Sequence, residues 1–372
     1  MLERKAYRYS LHDSLSGRST REEFDARAFD AAERYVQANR SLDDRLFWPV
    51  RLYCALDLWL WHLDAFARSD DPVPLFVEAM DRSTALLRAA KDSNLKSLSF
   101  PIESDHTPPQ GAAFEAQVSG TFSDIWPNLS DDIYFDQSYN FTVERFRKSG
   151  FDAQATFAGK SVLDAGCGSG KFSAALARLG AEKVIGLDLG LKGLEFARRQ
   201  AAKVPYGSKI DFRHGSLLDI PLESGSLDAV WSNGVIHHTL DYRKCLDEFA
   251  RVLKPGGTLY LYVNGRFGLF ELLADAIRIA IEDIPRALYI HYLLSLGVDT
   301  GRLYWILDYA YPPYEWKSRD EVIRLMEAAG FGDVRQLMRG IATDQIEQVS
   351  AGIPYAEVKY GEAQLKFLAV RR

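Results

Sequence analysis

The 372-residue sequence predicts an α/β fold, in which helices cover both faces of an open, mostly parallel sheet and a helical region precedes it. Three observations carry this. From residue 160 onward, short β-rich runs alternate with helical patterns. A turn with glycine at every second position, Gly166, Gly168 and Gly170, separates the first strand from the first helix. The second strand ends in an acid, Asp188, and ligands of such sheets lie at the carboxyl ends of the strands.

Residues 1 to 130 read as a helical region. "STREEFDARAFDAAERYVQANR" sets Phe24, Ala28, Ala31 and Tyr35 at helical spacing, with Ser19 or Thr20 expected as the N-cap. "LFWPVRLYCALDLWLWHLDAF" carries Trp48, Trp59 and Trp61. Arg51, Asp57, His62, Asp64 and Pro49 interrupt it, so it falls short of the ~20 uncharged residues that span a bilayer. We expect a buried helix or a homodimer contact there, and for the helical region as a whole a dimer contact or a cap over the site. "SDDPVP" breaks the pattern before a third helix, and residues 92 to 111, rich in Ser, Pro and Gly, read as a linker. "SDDIYFDQSYNFTVERFRKSGFD" then leads, as a helix, into the sheet.

The expected strands are "KSVLDAG", "EKVIGLDL", "KIDFRHGS", "SLDAVWSNG" and "GTLYLYV". The helix "KFSAALARLG" ends on a C′ glycine, Gly180. "DYRKCLDEFARVLKPGG" turns Leu246, Phe249, Ala250 and Leu253 inward, with an Asp247 to Arg251 pair outside. Residues 131 to 265 thus form a core, 266 to 316 a helical and aromatic insertion, and 317 to 372 a return to the core. That return holds the helix "SRDEVIRLMEAAGF" and the strands "VRQLMR" and "AQLKFLAV".

Composition narrows the function. Apolar residues at 47% and charged residues at 26% are those of a globular protein, and a net charge of -6 argues against a general binder of nucleic acid or anionic membrane. Three cysteines without a CxxC pair point to a reducing compartment and leave no disulfide framework or cysteine zinc site. The N-terminus lacks the apolar core of a secretion signal, so a cytoplasmic location is expected.

"VLDAGCGSGKF" occupies the place of a nucleotide-binding turn, but its glycines alternate and Asp164 precedes them. A carboxylate suits a cationic group, not a phosphate. Asp188 is placed to accept both hydroxyls of a ribose. "HGSLLDIP" offers backbone and small polar groups to an adenine edge, and "SNGVIHHT" follows the fourth strand. An adenosine with a zwitterionic tail satisfies all four, and that compound is S-adenosylmethionine.

These segments, with "VIGLDLG", "GSLLDIPLESGSLDAVWSNGVIHH" and "RVLKPGGTLYLYV", resemble the class I S-adenosylmethionine-dependent methyltransferases, especially the branch acting on small molecules. The resemblance covers about residues 130 to 372. It implies a Rossmann-like seven-stranded sheet whose last strand inserts antiparallel. By position it implies that Asp164, Gly166, Cys167 and Gly168 line the methionine part, and that Asp188 holds the ribose with Leu189 beside the adenine. Ser216 and Leu217 meet the adenine edge, and Asn233 lends its backbone carbonyl to the amino group. Many members carry Asp where Ser216 stands, so Asp219 or water substitutes here. Tyr139, in "YFDQSYNF", lies in the segment that closes over the cofactor, beside Tyr134 and Phe135. "LDYAYPPYEWKS" lies where members build a substrate lid, with Tyr309, Tyr311, Tyr314 and Trp316 as candidate walls.

His238, and after it His237, is the candidate general base, because a neutral imidazole takes a proton near neutral pH. Packing or a structural hydrogen bond competes with that role for each. Cys167 reads as a small side chain in a tight corner, and no metal site is expected. The expected reaction is methyl transfer to an O, N or C nucleophile of a small-molecule acceptor. A methyltransferase of RNA or protein would share every cofactor motif. A nicotinamide-dependent oxidoreductase and a non-catalytic cofactor-binding protein are the alternatives of another class.

Overall fold

A computed structural model describes residues 24–93, 130–312, 314–340 and 344–372. The chain separates into a helical unit and a sheet unit. The described part of the helical unit comes from residues 24–93, 267–312 with Tyr314, and 353–361; the sheet unit takes the rest. The insertion after residue 266 therefore folds with the N-terminal helices. Ser19, Thr20 and nearly all of the expected linker lie outside the described residues.

The strands are β1 Ser161–Ala165, β2 Lys183–Asp188, β3 Ile210–His214, β4 Leu227–Asn233, β5 Leu253–Asn264, β6 Phe331–Gln336 and β7 Gln364–Arg371. The first helices are α1 Ala26–Arg40, α2 Trp48–Ala67, α3 Pro72–Asp92, α4 Ser138–Lys148, α5 Ala153–Phe157, α6 Lys171–Arg178, α7 Leu191–Ala201 and α8 Tyr242–Val252. Then come α9 Leu269–Ile281, α10 Arg286–Ser295, α11 Thr300–Ala310, α12 Arg319–Ala328, α13 Gln345–Ser350 and α14 Ala356–Tyr360.

The sheet runs β3-β2-β1-β4-β5-β7-β6. All neighbours are parallel except β7, which is antiparallel to both β5 and β6. The seven-stranded Rossmann-like sheet expected from sequence is present, and "AQLKFLAV" supplies its antiparallel strand. Apolar alternation builds both covered faces. Phe146, Phe157 and Leu176 of α4, α5 and α6 pack on Val162, Trp231 and Tyr260. Leu246, Phe249, Val322 and Met326 of α8 and α12 pack on Leu163, Ile185, Val230 and Leu259.

Three local expectations change. Helix α1 begins at Ala26, where the Asp25 carboxylate accepts the Arg27 N–H at 2.9 Å. The strand expected as "VRQLMR" starts earlier, at Phe331, because a shift in pairing register between Gly332 and Arg335, with Asp333 at φ 46°, lets the buried Phe331 pair with Arg371. The Asp247 to Arg251 pair does not form. Asp247 takes Arg243 at 2.9 Å, while Arg251 pairs with Glu248 at 2.7 Å and donates to the Ile220 and Leu222 carbonyls.

In the helical unit all thirteen residues of α9 are buried. Arg51 of α2 is buried and donates to the Ala280 carbonyl at 2.7 Å and to Asp283 at 2.9 Å, satisfying the carboxyl end of α9. Trp48 and Trp59 are core side chains. Among the described residues no helix is long and apolar enough to cross a membrane.

Candidate active site

The alternating glycines have a conformational cause. Gly166, Gly168 and Gly170 take φ of 78°, 53° and 79°, the left-handed region that a side chain opposes. Space is also short at the first, since a Cβ on Gly166 would stand 2.4 Å from Val235 Cγ1. The turn spends its amides internally. Gly166 and Cys167 N–H both donate to the Leu187 carbonyl, at 2.8 and 3.0 Å. Gly168 N–H donates to Asp188 Oδ2 at 2.8 Å, and Gly170 N–H to the Cys167 carbonyl at 2.8 Å. A phosphate cradle needs such groups free. This turn is a poor one.

Asp164 stands one residue before the end of β1, and Asp188 ends the neighbouring β2. Asp164 is 2% exposed, and its Oδ2 accepts from Ser173 Oγ of α6 at 2.6 Å. Burial pushes its carboxyl up to about 7, and the charge of Asp188 adds to the push. Asp188 is also raised by burial, held back by the N–H groups of Gly190 and Gly168. Its Oδ1 accepts the Gly190 N–H at 2.7 Å. Two desolvated acids side by side favour a cation or hydroxyl donors between them.

Cys167 packs with Leu194, Ala197 and Phe212. Burial, with Asp188 and Asp164 nearby, raises its thiol well above the ordinary range, so it stays protonated and is no nucleophile. Leu189 is half-buried beside Asp188. Ser216 Oγ accepts the Leu218 N–H at 3.1 Å, which turns the chain after β3, and Leu217 is a core side chain. Asp219 is exposed. Glu248 of α8 accepts the Ile220 N–H at 2.8 Å, so with Arg251 it clamps this loop from below. The spacing Glu-x-x-Arg was visible in the sequence; the loop it grips was not.

Asn233 ends β4, and its Oδ1 accepts from Arg145 at 3.2 Å and from the Tyr260 hydroxyl at 3.3 Å. His237 and His238 follow on a short turn, both buried, their rings 4.3 Å apart at 71°. The His237 carbonyl accepts the Glu315 N–H at 2.8 Å. Tyr139 lies under the Arg178 guanidinium, 4.2 Å from ring centre to Cζ. Tyr134 is instead the ring that senses Cys167 and Asp164; it is wholly buried, and no described atom bonds its hydroxyl.

The four aromatic candidates are divided between the units. Tyr309, buried, meets Trp59, Phe270 and Trp305 and stacks with Tyr314 at 5.5 Å within the helical unit. The Tyr311 hydroxyl donates to the Ile284 carbonyl at 3.2 Å in the same unit. Trp316, 5% exposed, belongs to the sheet unit.

Residues 163–261 match the family described as a methyltransferase domain. The demethylmenaquinone methyltransferase of Clavibacter sepedonicus is 38% identical over 29% of this chain and 43% of its own length. A probable S-adenosylmethionine-dependent methyltransferase of Mycolicibacterium smegmatis is 33% identical over 38% of this chain and 49% of its own. The chain thus spans under half the length of these two relatives. It spans 69% of the 27-O-demethylrifamycin SV methyltransferase of Amycolatopsis mediterranei, at 33% identity over 47% of this chain. With the sheet order, the glycine turn and the paired acids, this alignment shows that the chain belongs to the class I S-adenosylmethionine-dependent methyltransferases.

Proposed function

We propose that the sheet unit binds S-adenosylmethionine over the carboxyl ends of β1, β2 and β4 and directs its methyl group to an O, N or C nucleophile of a small-molecule acceptor. The observation that carries this reading is the pair Asp164 and Asp188, set beside a turn in which the amides of Gly166, Cys167, Gly168 and Gly170 are already used. Such a site suits a cationic, hydroxyl-bearing ligand better than a pyrophosphate. Relatives named for demethylmenaquinone and 27-O-demethylrifamycin SV support a small-molecule acceptor.

When bound, the cofactor supplies a methyl on a positive sulfur, which leaves readily in an in-line displacement. The chain's own part is placement and protons. Asp188 accepts the ribose hydroxyls, and Leu189 and Leu217 flank the adenine. Ser216, with Asp219 or water, meets the adenine edge. The Asn233 carbonyl and Asp164 face the amino group, Gly166, Cys167 and Gly168 give the close floor, and Tyr139 or Tyr134 covers it. His238, then His237, takes the acceptor's proton. Trp316 is the aromatic wall within this unit.

Calorimetry on the full chain tests the reading. S-adenosylhomocysteine is expected to bind and NAD not, and Asp188→Ala is expected to weaken the former about tenfold or more. Folded protein that takes up NAD but not S-adenosylhomocysteine would overturn it.

A further inference from the structure

Among the described residues of the sheet unit, two buried cations converge on one carboxylate. Arg145 of α4 is 5% exposed and donates from Nη1 to the Tyr260 hydroxyl at 2.8 Å and to Asn233 Oδ1 at 3.2 Å. Its Nε is buried, and no described atom accepts from it. Lys366 of β7, wholly buried, donates to Gln364 Oε1 at 3.0 Å and stands 4.9 Å from the centre of the Tyr262 ring. Both cations share one carboxylate, Asp344, whose Oδ2 is 3.2 Å from Lys366 and 3.6 Å from Arg145. Glu347, the other acid acting on Lys366, pairs with Lys148 at 3.5 Å. Lys171 of α6 adds a third cation, near enough for Arg145 to depress it further after burial. Burial, and then Arg145, lowers Lys366 to about 7.

Two buried cations on one acid are costly to hold, and a donor with no acceptor adds to the cost. A planar or tetrahedral oxyanion would supply the missing charge and the missing acceptor together. Position says whose oxyanion. The glycine turn and Asp188 mark the half of the sheet made by β1, β2 and β3. Arg145 meets Asn233 of β4 and Tyr260 of β5, Lys366 of β7 lies by Tyr262 of β5, and Asn233, Tyr262 and Lys171 are half-buried. We propose that this second half binds an anionic group of the methyl acceptor, a carboxylate or phosphate, between Arg145 and Lys366. This rests on the methyl-transfer reading above.

The test uses the full chain, saturated with S-adenosylhomocysteine and titrated calorimetrically with inorganic phosphate and with benzoate, chloride held equal. The parent is expected to bind one of them. Lys366→Gln and Arg145→Gln should each weaken that binding about tenfold or more, Lys366→Arg should keep it, and affinity for S-adenosylhomocysteine should change little. If neither anion binds the parent, the proposal falls. It falls equally if the Gln variants lose S-adenosylhomocysteine yet keep its decarboxylated analogue, since the cations then hold the cofactor's own carboxylate. Failure of S-adenosylhomocysteine to bind the parent sinks the methyl-transfer reading instead, and is scored separately.

Discussion

Asp164 sits between two demands. Its carboxyl titrates near pH 7 in the folded chain, against about 3.9 when unfolded. Across that window the folded state keeps a proton the unfolded state has lost, so stability falls as pH rises from about 4 to about 7. Asp164→Asn removes this loss. Its thermal midpoint should gain on the parent's as pH rises from about 4 to about 8, while its affinity for S-adenosylhomocysteine falls. A midpoint difference that stays flat with pH would count against the buried acid. A cationic amino group arriving beside Asp164 lowers its pKa again. Binding near neutrality should therefore release protons, read as different heats in Tris and phosphate buffers. This residue was legible in the sequence because an acid before alternating glycines is hard to explain otherwise. Ser173, which bonds it, was not, since nine positions along the chain give no local sign of contact.

Among the elements, the glycine turn and α8 carry the site. Gly166→Ala meets both a left-handed backbone and Val235, so a loss of about 1–3 kcal/mol is expected in denaturant melts, with weaker cofactor binding. Wild-type stability in that variant would remove the conformational account of the motif. Glu248→Gln should loosen the loop after β3, raising amide exchange at Ser216 to Ile220 while leaving α8 itself protected. Strand and helix identities were legible because period-two and period-3.6 patterns alternate cleanly from residue 160. The ion pair on α8 was misread because helical spacing offers Arg251 partners at both i−3 and i−4. Carbonyls far along the chain, at Ile220 and Leu222, decide between them. Likewise the start of β6 turns on a local register shift that no alternation reveals.

For the molecule as a whole, the sequence suggested consecutive segments, whereas the structure interleaves them. Helix α9, buried on every side with Asp275 and Arg278 paired within it, is cored among helices from both earlier and later sequence. Deleting residues up to 93 would strip most of its cover, and aggregation by light scattering is the expected result. Acid acts on this unit in the opposite sense to Asp164. His62, enclosed by Phe66, Phe270 and Trp305, has both ring nitrogens buried without a described partner, and burial lowers it to about 3. The unfolded chain takes its proton below about 6.5, so stability falls as pH drops from there towards 3. His62→Phe should flatten that limb of the pH profile, followed by circular dichroism; an unchanged acid limb would assign it elsewhere.

Strand β7 occupies the slot between β5 and β6 although it follows both in the sequence. On the ribosome, β5 and β6 must therefore wait with open edges until residues 364–371 emerge from the exit tunnel. A nascent chain halted before that point exposes two sticky borders, which makes the translated but unfinished polypeptide a natural client for chaperones.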